Sequence, residues 1–285
     1  MSLAIVVEGG GLRGAFAAGV LDGLAAVLRR PPEHVFATSS GAPNAAYFTT
    51  GQIADGVRIW EQRTHGSQLV DLRNLVRSHP VMKVEELVKV IRSEIPLDAA
   101  RLSGIETALH IAVTEVESGL GRVVRATPDN VFSLLHAAMA IPFAYGKVVT
   151  VDSGQYIDGG FRAPVPIREA LALTPTKILT ILTKPRGHRR KQSHVSDWLL
   201  CRSYTEYPNA HAAIREKWTH YNATMDLIDE LERDGSLVTI RPTGELPVTR
   251  MSRSRARIVA SIELGRRAVV ERGHELRAYL ERRPV

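Results

Sequence analysis

The run Ala37-Thr38-Ser39-Ser40-Gly41-Ala42 admits few backbones, because it sets small residues between a short apolar stretch, His34 to Thr38, and a segment of helical composition that reaches about Thr49. A serine at such a junction, with small residues two positions before and after it, has the pattern of a nucleophile elbow, a strained strand-to-helix turn that holds a hydroxyl above the end of a sheet. Gly41 meets the later position, and Ala37 stands where glycine is usual. Centred on Ser40, the flanking residues would be Thr38 and Ala42, a poorer fit, so Ser39 is the candidate nucleophile.

The residues around the elbow predict the sheet it needs. Leu3 to Glu8 is apolar without alternation, as in a parallel strand buried on both faces. Gly9 to Arg13 then makes a tight turn, and Gly14 to Arg30 reads as a helix with Phe16, Val20, Leu24 and Val27 on its apolar face, stopped by Pro31-Pro32. This strand-helix-strand-helix opening predicts an α/β fold, a three-layer α/β/α sandwich with a mainly parallel central sheet. Ile53 to Arg63 and Met82 to Ile95 read as amphipathic helices over the sheet or the site. Thr107 to Val116 and Arg122 to Ala126 form a hairpin about Ser118-Gly119, and Asp129 caps a helix, Val131 to Ala140, that Pro142 follows. Gln155 to Ile157, Lys177 to Thr183 and Leu237 to Ile240 are further strands, while Val195 to about Leu231 and Arg253 to Arg283 are helical. Lys184 to His194 is polar and basic enough to be a mobile loop or linker. With no internal repeat, residues 1–285 are expected to form one domain, its motifs within 3–183 and a helical, basic part over 184–285.

Composition removes several classes of function. No apolar run reaches the roughly 18 residues that span a bilayer, and the first strand begins without a basic leader or cleavage site, so a cytoplasmic protein is expected. The single cysteine, Cys201, forms no internal disulfide. Neither His-Glu-x-x-His nor a calcium-loop spacing is present, so no metal or cofactor is expected. The net charge of +7 concentrates in Lys184 to Lys191, with Arg186, Arg189 and Arg190, and from Arg250 to Val285, where ten arginines face four glutamates. Trp60, Trp198 and Trp218 are too dispersed to stack bases, which argues against nucleic acid. The basic stretches suit either an anionic membrane surface, as peripheral contact, or a solvated helix face, the plainer reading. Oligomeric state leaves no mark in the sequence.

Gly9-Gly10-Gly11-Leu12-Arg13-Gly14 satisfies Gly-x-Gly-x-x-Gly between a strand and a helix, yet a dinucleotide site also needs an acidic residue at the end of the second strand. That strand ends Thr38-Ser39-Ser40, and Glu33 precedes it at the wrong end. Successive N–H groups at a helix start bind an oxyanion equally well, which suits acyl transfer to a serine. The remaining part is a base. Asp158, in Tyr156-Ile157-Asp158-Gly159-Gly160, ends a strand where strand ends converge, whereas His136, the least implausible histidine, sits on a helix in no recognisable motif.

A strand leading into Gly-Gly-Gly-x-Arg-Gly, then a serine elbow, then Asp-Gly-Gly followed by Ala163-Pro164-Val165-Pro166, resembles the patatin-like phospholipase family. The likeness runs from about Leu3 to Thr183 and thins beyond, although Leu237 to Arg272 looks like the tail of some bacterial members. The resemblance implies a lipid acyl hydrolase that uses a Ser-Asp dyad, with Ser39 as nucleophile and Asp158 as its partner. Gly10, Gly11, Arg13 and Gly14 correspond to the oxyanion-hole segment. The implied substrate is a lipid ester, whether phospholipid, lysophospholipid or glyceride. The alternative is a binding or scaffold protein that kept the fold and lost activity, for which Ala37 is the support.

Overall fold

The computed structural model describes residues 2–76, 79–141 and 144–282. Pro142, expected to follow a helix, and Arg283, the expected end of another, lie outside the described residues. The elements, in chain order, are β1 (Leu3–Val7), α1 (Gly14–Val27), β2 (His34–Thr38), α2 (Gly41–Thr49), α3 (Ile53–Arg63), α4 (Val84–Lys89), α5 (Arg101–Gly104), β3 (Ala108–Glu115), β4 (Gly121–Arg125), α6 (Val131–Ala138), β5 (Val149–Val151), β6 (Gly154–Asp158), α7 (Ile167–Ala172), β7 (Lys177–Ile181), α8 (His194–Cys201), α9 (Pro208–Arg233), β8 (Val238–Ile240), α10 (Arg255–Glu271) and α11 (Gly273–Glu281).

The strands form one sheet in the order β5-β6-β3-β2-β1-β7-β8, with β4 paired to β3 off that path. The run β3-β2-β1-β7-β8 is parallel, and β4, β5 and β6 are antiparallel. Alternation of side chains along each strand sorts the core into two layers. Leu3, Ile5 and Val7 of β1 pack with α1, α2, α6 and α10, while Ala4 and Val6 pack on the other face with Ile167 of α7 and Tyr221, Met225 and Ile228 of α9. Helices on both faces leave no strand of the parallel run a solvated side, so the chain is the expected α/β/α sandwich. From β1 the chain winds outward to β3 and later returns to the opposite side of β1 as β7. The crevice at that reversal, outside the carboxyl ends of β1, β2 and β7, is where such sheets bind ligands.

Several expected elements are corrected. Helix α1 stops at Val27, where Leu28 turns extended ahead of the proline pair, and Val27 is exposed. Met82 is drawn out of the fourth helix into a bridge with Val70, so α4 begins at Val84 and its last turn, Val90–Glu94, widens to a π-helix. Asn130, not Asp129, is the cap residue of α6, and it exchanges hydrogen bonds with Thr127. Strand β5, not anticipated, forms a hairpin with β6 across Asp152-Ser153. The loop expected to be mobile, Lys184 to His194, is tied down by ion pairs of Lys184 to Glu245, Arg186 to Glu232 and Arg189 to Asp226 and Asp229. Among the described residues, no helix is long and apolar enough to cross a membrane.

Candidate active site

Ser39 is the first residue past β2 and takes φ of +53°, a left-handed conformation that costs a non-glycine residue about 1–3 kcal/mol. The turn is held by the Ala42 N–H, which donates to the Ser39 carbonyl at 2.9 Å as α2 begins. Ala37 is fully buried inside β2, paired between Val7 and Ile111, and its methyl does not unmake the elbow. The Ser39 Oγ donates to Asp158 Oδ2 at 2.6 Å.

Register explains how a residue 119 positions later in sequence reaches the serine. Thr38 is level with Ala112 on β3, and the next β3 residue, Val113, is level with Asp158. Because β6 runs antiparallel, it enters from beyond the carboxyl ends of the parallel strands and stops at the height of the elbow. Asp158 is fixed there through its N–H to the Ala140 carbonyl at 3.1 Å and its carbonyl, which accepts from Thr114 Oγ1 at 3.0 Å. Its second carboxylate oxygen accepts from the Gly160 N–H at 2.7 Å. Desolvation pushes the Asp158 carboxyl up to about 6, despite the opposing pull of the Ser39 and Gly160 hydrogen bonds and the charges of Arg250 and Arg190. A carboxylate so raised is a stronger base than an exposed aspartate.

The glycine segment crosses over the serine, and a side chain on Gly9 would strike the Ser39 Cβ. Gly9, Gly10 and Gly11 line the same cavity as Ser39 and Asp158. The Gly10 N–H donates to Ser40 Oγ at 3.1 Å. Gly11 takes φ of +59°, and among the described residues no protein acceptor engages its N–H. Of the four residues matched to an oxyanion hole, the structure therefore brings Gly10 and Gly11 to the serine. Arg13 and Gly14 lie behind them. Their N–H groups are used within the turn, on the carbonyls of Gly10 and of Gly11 and Leu12. The Arg13 side chain is buried, where desolvation lowers its pKa and the charge of Glu8 opposes that shift. Gly14 lets α1 approach Ser40 and Trp60, which a side chain there would meet.

Two cavities meet at Ser39. An apolar slot of about 30 Å³ is walled by side chains that include Leu12, Ile59, Trp60, Leu87 and Met139. A wider cavity of about 230 Å³ holds Asp158 together with Arg190, Lys217 and Arg250. Gly11, Ser39, Met82 and Ile141 line both. Sequence reasoning placed Arg190 and Arg250 only in basic stretches suited to a membrane surface or a solvated face, and assigned nothing to Lys217 or to the Ser40 hydroxyl. Arg190 stood out only as part of a basic run, and nothing in spacing foretold that it turns toward the serine. His136 is elsewhere, hydrogen-bonded to the Tyr145 hydroxyl at 2.8 Å, which in turn donates to Glu85. Glu33 lies at the opposite end of β2, its N–H on the Leu3 carbonyl.

The chain matches a model described as patatin-like phospholipase over residues 5–171, more than half its length. A second model, of a domain of unknown function (DUF6363), matches residues 207–281. The Escherichia coli protein YjjU, described as uncharacterized, is 28% identical over 186 residues, covering 64% of this chain and 52% of that protein. The chain thus spans about half the length of the curated relative it matches. Among solved structures, the crystal structure of VipD from Legionella pneumophila is similar over 95% of this chain and 67% of that one, with a TM-score of 0.44 and 12% identity.

Proposed function

The chain belongs to the patatin-like phospholipase family, and from that premise we propose that it is a serine-dependent acyl hydrolase acting on carboxylic esters of lipids. The observation that carries this reading is the 2.6 Å hydrogen bond from Ser39 to a desolvated Asp158 at the meeting point of an apolar and a polar cavity. Ser39 attacks the ester carbonyl while Asp158 takes its proton, and the tetrahedral oxyanion forms against the Gly11 N–H, which no protein acceptor engages among the described residues. Asp158 then hands the proton to the leaving alcohol. In the second half, water gives a proton to Asp158 and attacks the acyl-serine, and the released serine recovers that proton as the fatty acid departs.

The apolar slot suits the acyl chain. At about 30 Å³ it is closed at rest, so a chain enters by displacing flexible walls such as Met82 and Met139. Lipid arrives from an interface, and the mouth of the wider cavity is fitted for that contact. Helix α8 sends Ser196 and Leu200 into the cavity wall while Val195 and Trp198 stand 73% and 58% exposed beside them. Peripheral contact with an anionic membrane surface is part of this reading, and so is a single domain, since α9 to α11 complete the core of the matched segment.

Hydrolysis of a soluble butyrate ester and labelling by a serine-reactive fluorophosphonate test the dyad. Ser39→Ala abolishes both, and Asp158→Asn lowers turnover by about three orders of magnitude or more because the two groups act as one unit. An Asp158→Asn variant with near-normal turnover, or a wild type that neither hydrolyses nor labels, returns the chain to the scaffold reading.

A further inference from the structure

We propose that the segment following the patatin match supplies a phosphate subsite, formed by Arg190 and Arg250 on the wall of the cavity that holds Ser39, which selects acyl esters bearing an anionic phosphate near the scissile carbonyl. The proposal rests on the acyl-hydrolase reading above and adds to it which esters the site prefers.

Most of the charges around the cavity are already neutralised: Lys217 is paired with Asp197, and Lys184, Arg186, Arg189 and Arg241 each have a carboxylate partner. Among the described residues, no carboxylate lies within ion-pair distance of Arg190 or Arg250. Arg190 is also built into place. Asn222 of α9 brackets its backbone, accepting its N–H at 2.8 Å and donating to its carbonyl at 3.0 Å, and the guanidinium lies 3.9 Å from the centre of the Tyr221 ring. Burial, with the like charge of Arg250 added, pulls the Arg190 pKa down to about 10, so the group remains cationic at neutral pH, with Glu8 and Asp158 acting on it only from beyond ion-pair distance. Arg250 stands exposed at the cavity mouth, its position fixed by the Leu12 N–H, which donates to its carbonyl at 3.2 Å.

Two guanidiniums without partners on a cavity wall are suited to a tetrahedral anion, for which the fork of N–H donors is matched in shape. The anion has to belong to the substrate, because the same cavity contains the serine. In a glycerophospholipid or its lysolipid the phosphate is only a few bonds from the ester carbonyl, whereas a neutral glyceride covers the half-buried Arg190 and supplies no anion to it or to Arg250. Both arginines lie outside residues 5–171, so the selectivity belongs to the C-terminal part of this chain.

The test compares monomeric dihexanoyl phosphatidate with dihexanoylglycerol on the full chain, and measures binding of glycerol 3-phosphate, glycerol and inorganic phosphate to the Ser39→Ala protein. Expected are a preference of at least tenfold in kcat/KM for the phosphate ester, binding of glycerol 3-phosphate but not glycerol, and a drop of at least fivefold in that preference, carried by KM, in Arg190→Gln and in Arg250→Gln. If Arg190→Gln misfolds for want of its Tyr221 contact, the exposed Arg250→Gln decides. Equal turnover of the two esters overturns the proposal while leaving the hydrolase reading intact. Inorganic phosphate binding as tightly as glycerol 3-phosphate, without ester preference, also overturns it, as a site for a free ion. If no ester is hydrolysed, the hydrolase reading fails, and binding then decides the subsite: glycerol 3-phosphate held by Ser39→Ala and lost on adding Arg250→Gln supports it, and absent or unchanged binding refutes it.

Discussion

Asp158 is the residue where chemistry and stability pull in opposite directions. Its carboxyl must be ionised to accept the Ser39 proton, so kcat/KM for a soluble ester rises with pH through a limb near 6. A flat profile from pH 5 to 8 argues against Asp158 as the base. The same desolvation weakens the fold. The folded pKa, about 6, lies above the ordinary 3.8, so the native state holds the extra proton between those values and stability falls as pH rises across that window. Above pH 6 the loss is complete, about 3 kcal/mol for a shift of this size. Asp158→Asn should therefore unfold at higher denaturant than wild type at pH 7.5 and at the same denaturant near pH 3.5, although it is inactive at both. Equal stability at pH 7.5 indicates that the carboxylate is better solvated than its burial implies.

At the scale of elements, the contact between α1 and α10 depends on two glycines that meet. A Cβ on Gly265 would overlap the Phe16 carbonyl, and one on Gly19 would overlap the Ile262 carbonyl, so the helix backbones touch. Gly265→Ala should cost about 2–3 kcal/mol, read as a drop in Tm of about 5 °C or more, whereas Gly273→Ala, with open space around it, should cost nothing. Equal melting of the two variants would mean the helices are not in backbone contact. Helix α8 carries a separate expectation: Trp198→Ala weakens sedimentation with anionic vesicles while the fold persists, and unchanged sedimentation assigns the exposed ring another role. These features also mark how far the sequence could be read. β1, β2, α2 and α3 were legible nearly to the residue because buried strands and a small-residue elbow leave few alternatives. The Ser39 to Asp158 pair was legible because each sits in a motif whose shape dictates its position. The α1–α10 contact was not, since a glycine inside a helix looks the same whether it faces solvent or another backbone. Nor was the fate of Lys184 to Lys191, because a basic loop reveals its partners only when α9 brings Asp226, Asp229 and Glu232 beneath it.

For the whole molecule, the question is whether residues beyond 183 form a separable part. The second family match, over residues 207–281, suggests a boundary, but the packing runs across it. Tyr221, Met225 and Ile228 of α9 cover one face of the sheet with Ala4, Val6 and Phe36. Val238 and Ile240 of β8 add to the edge of the sheet, and Ile258, Ile262 and Val269 of α10 join the core on the other face. Tyr279 of α11 closes the margin, accepting from the Ile178 N–H at 2.9 Å and donating to the Ser236 carbonyl at 2.8 Å. The Arg250 carbonyl also receives the Leu12 N–H, so the glycine turn at the site leans on the C-terminal part. A fragment of residues 1–183 would expose apolar surface on both faces of its sheet at about 25 cal/mol per Å², more than a domain's net stability can absorb once several large side chains are uncovered. Expressed alone, it should be insoluble or lack a cooperative thermal transition, and its Ser39 should not react with a fluorophosphonate. A soluble fragment that melts cooperatively and labels at Ser39 would show instead that the elbow, the glycine turn and Asp158 assemble without α9 to α11, and that the C-terminal part is an attached unit.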